Sequence, residues 1–451
     1  MPLKAVFARA FSSLFRTRRG TPGAALLLGL GALLTATGCD VFSDDGEDDP
    51  PPEAAALCTD GQADGYPCHN VDLMAQFDIT EIGGAPSEPG KSGTELNDIW
   101  GWTDPQTGRQ YALVGRTDGT AFVDVTEPAQ PVFLGSLPTA ADASSWRDVK
   151  VKNGHALIVS EAVGHGMQVF DLTTLRDASG EGAPQTFEAT AVYDGFGRAH
   201  NVVTAGEGTA RAYGVGLSGE QNAPDGAGCG PGYHGVDLSD PANPRFAGCF
   251  NSTVGRGYTH DAQCVTYEGP DAEHQGREIC LGADEQGLSV ADLTDLESPR
   301  QLATATYPQT GYTHQGWFSD DQRYFYLDDE TDEQDFDLVD QTRTLIWDLE
   351  DLDNPVLVTQ HAGETPATDH NQYLTGGLAY QANYTSGLRI LDTSDKAAPV
   401  EVGFFDVFPP NNASGFEGAW SVYPFFENGP LVVSSIGGGL FVLRATGEAA
   451  R

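Results

Sequence analysis

The stretch AFVDVTEP, residues 121–128, sets the pattern from which the fold of this chain can be predicted. It is a short apolar strand that ends at Asp124 and continues into a proline turn. Five more copies follow, MQVFDLTT at Asp171, HGVDLSDP at Asp237, LSVADLTD at Asp292, LIWDLEDLDNP at Asp348 and LRILDTSD at Asp392. A seventh, GLFVLRATG, carries Arg444 in place of the aspartate. The six aspartates are 47, 66, 55, 56 and 44 residues apart, and such a repeat indicates a propeller or another closed array.

Each repeat contains three further strands. In the first, LNDIWGW and YALVGR precede the aspartate strand, and PVFLGSL follows it. Four short alternating strands separated by Gly, Pro and Asp turns are typical of a propeller blade. We expect the leading strand to be innermost, and the proline-led strand outermost because an edge tolerates a missing backbone donor. The aspartate is expected to cap the turn that follows it.

The last repeat runs out of chain before a fourth strand. Residues 70–79, NVDLMAQFDI, resemble such a strand and precede the first blade. The sequence therefore predicts an all-β propeller over residues 70–445, with seven four-stranded blades and an N-terminal strand completing the last one. Pairing that strand with the last three strands would close the ring and bury both edges. Six or eight blades are the alternatives, since the third repeat is long.

The first 38 residues are predicted to be a lipoprotein-type signal peptide. Five basic residues precede an apolar segment at 24–36, which is too short to span a bilayer. The segment ends in Thr37-Gly38-Cys39, which resembles a lipobox, so we predict lipidation of Cys39 and membrane attachment. Ordinary signal cleavage, with Cys39 incidental, is the alternative. Residues 39–57 are acidic and proline-rich and are predicted to form a tether. The chain is thus predicted to be an exported lipoprotein at the cell surface or facing the periplasm.

Six further cysteines form an even set, as a disulfide framework in an exported chain requires. Cys58 and Cys68 would close a loop in a lead-in at residues 58–69. Cys264 and Cys280 fall on two apolar stretches predicted to be adjacent strands, which leaves Cys229 to pair with Cys249. No C-x-x-C pair is present, which disfavours metal binding by these cysteines.

The formal net charge of the chain is −41, and removing the five cations of the signal makes it −46. Such a surface should repel nucleic acid and anionic lipid, so we predict no nucleic-acid partner. Scarce lysine with abundant acid also suits solubility in high salt. We prefer that interpretation of the charge to an acid-specific function.

Aligning the leading strands places one set of polar residues in register. They are Asp98, Asp148, His200, His260, His314 and His370, with Ala419 in the last blade. These side chains are predicted to converge on the mouth of the axial channel, where the four histidines would bind one transition metal such as zinc or iron. Asp261, Asp369 and Glu417 are candidate ligands, orienting groups or bases. The alternative is a polar channel lining that hydrogen-bonds water and backbone.

A second candidate cation site is the acidic run at residues 328–337, DDETDEQDFD. Its carboxylates are suitable ligands for calcium, although the run lacks the spacing of a helix-loop-helix calcium site. The alternative, which the composition favours, is a solvated acidic loop. Aromatic residues recur beside the predicted ring, and we expect most of them to pack between blades.

Nucleophile and phosphate-binding motifs are missing from the sequence, which contains no G-x-S-x-G, H-E-x-x-H or P-loop pattern. This favours a binding or interaction module with an unknown surface ligand. The alternative from a different class is a metal-dependent hydrolase or lyase that uses the histidines of the channel mouth.

Several long motifs resemble one known family. GYTHDAQC, GYTHQGWFSDDQRYFYLDDE, TRTLIWDLEDLDNP and YQANYTSGLRILD are similar to segments of the choice-of-anchor B family. Its members are bacterial extracellular proteins with LVIVD repeats, attached by varying anchors such as lipoprotein signals. The resemblance spans roughly residues 70–445 and implies an exported propeller-like domain, with Cys39 as the anchor here. It implies no established reaction, and no catalytic residue is carried over.

Overall fold

The chain forms a ring of seven β-sheets, which are the blades of a propeller. The computed structural model describes residues 54–450 except 90, 181, 183, 219–228, 337–338 and 428. The prediction of an all-β fold with seven blades is confirmed, and the alternatives of six or eight are wrong. The predicted signal segment, Cys39 and most of the tether lie outside the described residues. Within the described part, no helix is long and apolar enough to cross a membrane.

The strands are numbered in chain order. Those before blade 4 are β1 (Gln62–Ala63), β2 (Tyr66–His69), β3 (Val71–Phe77), β4 (Leu96–Thr103), β5 (Gln110–Arg116), β6 (Gly119–Asp124), β7 (Val132–Pro138), β8 (Arg147–Lys152), β9 (His155–Ser160), β10 (Met167–Asp171), β11 (Gln185–Thr186), β12 (Ala191–Tyr193), β13 (Asn201–Thr204), β14 (Arg211–Val215), β15 (Tyr233–Asp237) and β16 (Arg245–Phe250). Those from blade 4 onward are β17 (Asp261–Thr266), β18 (Glu278–Ala283), β19 (Leu288–Asp292), β20 (Arg300–Ala305), β21 (Thr313–Phe318), β22 (Tyr324–Asp329), β23 (Arg343–Asp348), β24 (Val356–Ala362), β25 (Asn371–Thr375), β26 (Leu378–Ala382), β27 (Leu388–Asp392), β28 (Val400–Phe405), β29 (Ala419–Tyr423), β30 (Leu431–Ser435) and β31 (Gly439–Ala445). The described helices are short: 3-10 turns at Leu172–Asp177 and Gly447–Ala449, and α1 at Asp332–Asp335.

Consecutive strands pair antiparallel from the axis outward, as β4-β5-β6-β7 do in blade 1. The apolar residues of facing blades form the cores. Leu113 and Phe122 of blade 1, for example, share a cluster with Ile158 and Phe170 of blade 2. Because these strands are covered on both faces, they read as nearly continuous apolar runs, and the repeat was visible in the sequence for that reason.

The ring closes in blade 7, where β3 pairs antiparallel with β31. The prediction that an N-terminal strand completes the last blade is confirmed. Arg444, which replaces the recurring aspartate, lies opposite Asp72 of β3 and donates to its carboxylate at 2.8 Å. The exception in the repeat therefore has a structural role, since it pairs the two ends of the ring electrostatically.

Two short additions at blade edges were not predicted. The hairpin β1–β2 joins the outer strand β28, so that blade 6 has six strands. Strand β11 pairs parallel with β7 at the outside of blade 1. The predicted disulfides Cys58–Cys68, Cys229–Cys249 and Cys264–Cys280 are all present, which is consistent with an extracytoplasmic protein.

The recurring aspartates cap turns, as expected. Each accepts a hydrogen bond at Oδ1 from the backbone N–H two residues later, at 2.8–3.1 Å, in the pairs Asp124–Thr126, Asp171–Thr173, Asp237–Ser239, Asp292–Thr294, Asp348–Glu350 and Asp392–Ser394. This is the local bond that favours Asp in turns. The repeat is thus a structural feature and not a binding site.

Blades 1 and 2 are also joined by an ion pair whose contribution to stability should depend on pH. Arg176 donates to both carboxylate oxygens of Asp104, at 2.6 and 2.8 Å, and the Asp104 side chain is buried. These bonds hold the pKa of Asp104 below its ordinary value of 3.8. Its stabilising effect is therefore complete above the unfolded pKa and decreases as the pH falls through the lower folded pKa.

We expect Asp104→Asn to lower the free energy of unfolding by about 1.5–3 kcal/mol near neutral pH, the usual range for a hydrogen bond to a charged group. The difference from the unmodified chain should shrink in acid, and urea denaturation at several pH values would measure it. The exposed Asp177, at the end of the same 3-10 turn, provides the control Asp177→Asn, which should have little effect. A loss for Asp104→Asn that is the same at every pH would contradict the prediction.

Candidate metal centre at the channel mouth

Four imidazoles from four consecutive blades lie side by side at the start of the inner strands. His200, His260 and His370 each directly precede an inner strand, and His314 is the second residue of β21. The ring centroids are 4.3 Å apart for His200 and His260, and 4.4 Å apart for each of the next two pairs. Successive planes tilt by 46°, 40° and 36°, as expected for equivalent positions rotated about one axis.

Each imidazole directs Nδ1 at an oxygen atom. The pairs are His200 with Glu161 Oε1 at 2.7 Å, His260 with the carbonyl of His314 at 2.9 Å, His314 with Asp328 Oδ1 at 3.2 Å, and His370 with the carbonyl of Trp420 at 2.6 Å. A carbonyl oxygen only accepts, so Nδ1 of His260 and of His370 carries the hydrogen. In the neutral ring, Nε2 then keeps its lone pair. Metal-binding histidines have this arrangement, with the second nitrogen bonded to a carboxylate or carbonyl.

Glu330 adds a carboxylate between two of these rings. Its Oε1 lies 4.0 Å from Nε2 of His314 and 3.7 Å from Nε2 of His370, and it accepts a 2.7 Å bond from the Tyr384 hydroxyl. Ligand atoms of His314, Glu330 and His370 all lie within 4.8 Å of one another. Two histidines and one carboxylate form a ligand set common for zinc and for non-haem iron.

The sequence placed Glu330 in the acidic run and did not connect it with the histidines. A usable signal was present: Glu330 directly follows β22, and Glu161, the partner of His200, directly follows β9. Both are therefore the first residue after the second strand of a blade. The blade alignment that brings the four histidines into register also brings these two carboxylates to equivalent positions.

Burial controls the protonation of the histidines. It lowers the pKa of His260 and of His314 well below 6.5, and that of His370 to about 3. These rings are neutral near pH 7, which is the form that binds a metal. For His200, burial also lowers the pKa, but the hydrogen bond to Glu161 and the charges of nearby carboxylates together outweigh it, so the pKa is raised. Burial raises the pKa of Glu330 to about 7.

Asp98 and Asp148, the two aspartates aligned with the four histidines, pair with a lysine side chain. Lys150 reaches Asp98 Oδ2 at 3.1 Å and Asp148 Oδ1 at 2.5 Å, and all three side chains are nearly buried. The remaining bonds cross between blades, since Val149 N–H donates to Asp98 and Val202 N–H donates to Asp148. Asp98 and Asp148 thus form a buried ion triad with Lys150 that links blades 1, 2 and 3.

The three other candidate residues, Asp261, Glu417 and Asp369, lie in different surroundings. Asp261 is buried and lines a cavity, where burial raises its pKa to about 6. Glu417 is exposed and joins none of the described ligand groups. Asp369 lies with Asp332 in a separate group of carboxylates.

The favoured interpretation of residues 328–337 as a solvated loop is wrong for part of the run. Asp328, Asp329 and Asp332 have relative exposures of 2%, 0% and 0%. Asp329 accepts bonds from three backbone N–H groups and from the Tyr307 hydroxyl. The run turns inward because these donors, and Arg343 at Asp332, offer partners in the interior.

Aromatic side chains cluster on the inner strands and just after them. Trp100, Trp317, Tyr373 and Phe425 contact one another with ring centroids 5.0–6.4 Å apart. Beside them is a cavity of about 570 Å³, lined by Lys150 and Asp261 among others. The histidine end and the aromatic end of the channel therefore differ in chemistry.

One segment of the seven-bladed propeller matches a known repeat. Residues 373–407, which span most of blade 6, match the LVIVD repeat family. Among solved structures, the chain is similar to the β-propeller domain of Cps50 (Swd1) from Myceliophteria thermophila, with 11% identity, a TM-score of 0.46, and coverage of 75% of this chain and 94% of that one. A search of curated proteins finds no match.

Proposed function

We propose that this chain is an exported, membrane-anchored binding module in which a transition metal at the channel mouth contributes to binding of a surface ligand. The observation that carries the proposal is the pairing of all four Nδ1 atoms with oxygen atoms of the protein. Polar channel linings need no such uniform orientation. Metal ligands do, because the outer partner fixes the ring and leaves Nε2 for the ion.

His314, His370 and Glu330 would hold zinc or iron, and when bound the ion would act as a Lewis acid toward an oxygen or nitrogen ligand. His260 would support the site through its bond to the backbone of His314. His200 has a side-chain exposure of 15%, and Glu161 of 33%. We therefore propose that ligands approach from the side of these two residues.

Attachment through lipidated Cys39 completes this proposal, as does membership of the choice-of-anchor B family. The motifs quoted above support the family, and the match at residues 373–407 supports its repeat. Mass spectrometry of the membrane fraction would show a diacylated N-terminal cysteine at Cys39. A soluble exported protein cleaved at another residue would contradict the anchor and would leave the metal site untouched.

Metal content tests the centre directly. Protein purified without added metal should carry about one equivalent of zinc or iron. The variant His314→Ala/His370→Ala should lose nearly all of it, because two of three ligands are removed. His155→Ala is the matched control, since that histidine lies outside the group and bonds to the carbonyl of Asn153. Elemental analysis measures the content, and circular dichroism checks the fold.

Native protein that carries no transition metal and binds neither zinc nor iron would refute the centre. The same samples test the enzyme alternative in a screen for esterase, lactonase and phosphatase activity. Turnover that is lost in His314→Ala, while the fold is retained, would assign a hydrolase to this site. Ligand binding without turnover supports the module.

A further inference from the structure

A second cluster of ligand-type side chains lies next to the histidines and shares no residue with them. Asp332 and Glu333 of α1 approach Asp369, which precedes β25, and one oxygen from each lies within 4.8 Å of the others. α1 belongs to the connection between β22 and β23 of blade 5, whereas Asp369 belongs to blade 6. The cluster therefore bridges two blades.

Two of these carboxylates have oxygen atoms without a partner. Asp332 has a relative exposure of 0%, yet its Oδ1 accepts no hydrogen bond. Both oxygens of Glu333 are also buried and without a donor. A buried carboxylate oxygen without a donor is costly. These oxygen atoms lie among other carboxylates, where a bound cation would give them a partner.

The protein supplies one cation to this group within the described residues. Arg343 donates from Nε to Asp332 Oδ2 at 2.6 Å, and its backbone N–H donates to Asp369 Oδ2 at 2.7 Å. Nη2 also contacts Asp332 Oδ2, and the two Nη atoms donate to Pro308, Gln309 and Gln360, so the donors of the guanidinium are used without reaching Asp332 Oδ1 or Glu333. Three carboxylates therefore face one guanidinium, which leaves a formal excess of two negative charges when all three carboxylates are ionised.

We propose that Asp332, Glu333 and Asp369 bind a calcium ion. Calcium prefers oxygen ligands and accepts carboxylates in one- or two-oxygen coordination with variable geometry, whereas magnesium requires a near-octahedral set. The ion would hold α1 against the inner strand of blade 6. Glu330 lies two residues before Asp332, and Asp369 directly precedes His370, so calcium would fix the backbone on both sides of the candidate metal centre.

Calorimetric titration of the chelator-treated, full exported chain with calcium chloride tests the proposal. We expect one saturable site with a dissociation constant of about 10⁻⁴ M or tighter, and weaker binding of magnesium. Glu333→Gln should weaken calcium binding at least about tenfold, because affinity follows the number of ligand charges. Asp335→Asn is the matched control, since Asp335 is an exposed residue of the same helix and bonds to Thr331.

The variant His314→Ala/His370→Ala separates this site from the histidine centre and should keep its affinity for calcium. A thermal melt gives a second readout: calcium should raise the midpoint of the unmodified chain, and should raise that of Glu333→Gln much less. The absence of saturable calcium binding by the unmodified chain at millimolar concentration would overturn the proposal. Equal calcium binding by Glu333→Gln and the unmodified chain would overturn it too.

Discussion

A chain that begins at Asp78, and so lacks β3, is expected to lose cooperative unfolding. β3 supplies the outer strand of blade 7, and its Val71, Leu73 and Met74 have relative exposures of 0%, 3% and 1%. Burial of three such side chains contributes about 5–9 kcal/mol. That is comparable to the whole stability of a typical domain. Without β3, the unpaired edge of β31 would also be open to association.

The informative comparison is a chain that begins at Asn70. It keeps β3 and lacks the hairpin β1–β2, which pairs with β28, together with the Cys58–Cys68 disulfide. We expect this shorter truncation to lower the melting temperature and to leave one cooperative transition in calorimetry. If both truncated chains melted alike, closure of the ring by β3 would not be what stabilises it.

Replacement of Lys150 by methionine should be the most damaging single substitution in the channel. Methionine keeps the apolar stem but leaves Asp98 and Asp148 buried without their cation. Loss of one partner from a buried ion pair costs about 3–5 kcal/mol. Chemical denaturation near neutral pH would measure the loss. Lys91→Met is the control, because Lys91 is 79% exposed and its pair with Glu88 is 3.9 Å long. Such surface pairs contribute little.

The loss of unfolding free energy caused by Lys150→Met should be smaller at lower pH. Burial raises the pKa of Asp98 to about 7, and Lys150 opposes this rise. Without the lysine, the folded pKa of Asp98 is higher still. The two chains therefore differ in the ionisation of Asp98 above about pH 7, where the carboxyl ionises in the unmodified chain and resists ionisation in the variant. The difference in the free energy of unfolding between Lys150→Met and the unmodified chain should therefore be smaller at about pH 5 than at about pH 8. A variant within about 1 kcal/mol of the unmodified chain at both pH values would contradict the role of the triad.

Most of the fold could be predicted because its determinants are local. The aspartate cap depends on a residue two positions away, and strand order follows from the recurring apolar strands and the turns between them. β3 was found because it resembles a missing strand. The pairing of β2 with β28 and of β11 with β7 was not found, because these strands have two to four residues and attach through backbone bonds that leave no pattern in the sequence.

The candidate site was predictable only as far as the repeat register reached. His200, His260, His314 and His370 share one position, and alignment of the blades brought them together. Glu330 comes from a different strand end, and its approach to His370 crosses a blade boundary. Lys150 was missed for a similar reason, since its pairing with Asp98 depends on the direction of side chains from two blades. Such contacts depend on three-dimensional packing, which periodicity does not encode.

The N-terminal hairpin has a mechanical consequence. A pull on the chain ahead of Cys58 would first meet the bridge between Ala56 and Leu73. Beyond it, the load would pass through the Cys58–Cys68 disulfide to β2 and its ladder with β28, bypassing residues 59–67. Force would thus be shared between blades 6 and 7 before it could peel β3 from β31. The hairpin would therefore protect β3, the strand that closes the ring, from force applied to the N-terminal side of the chain.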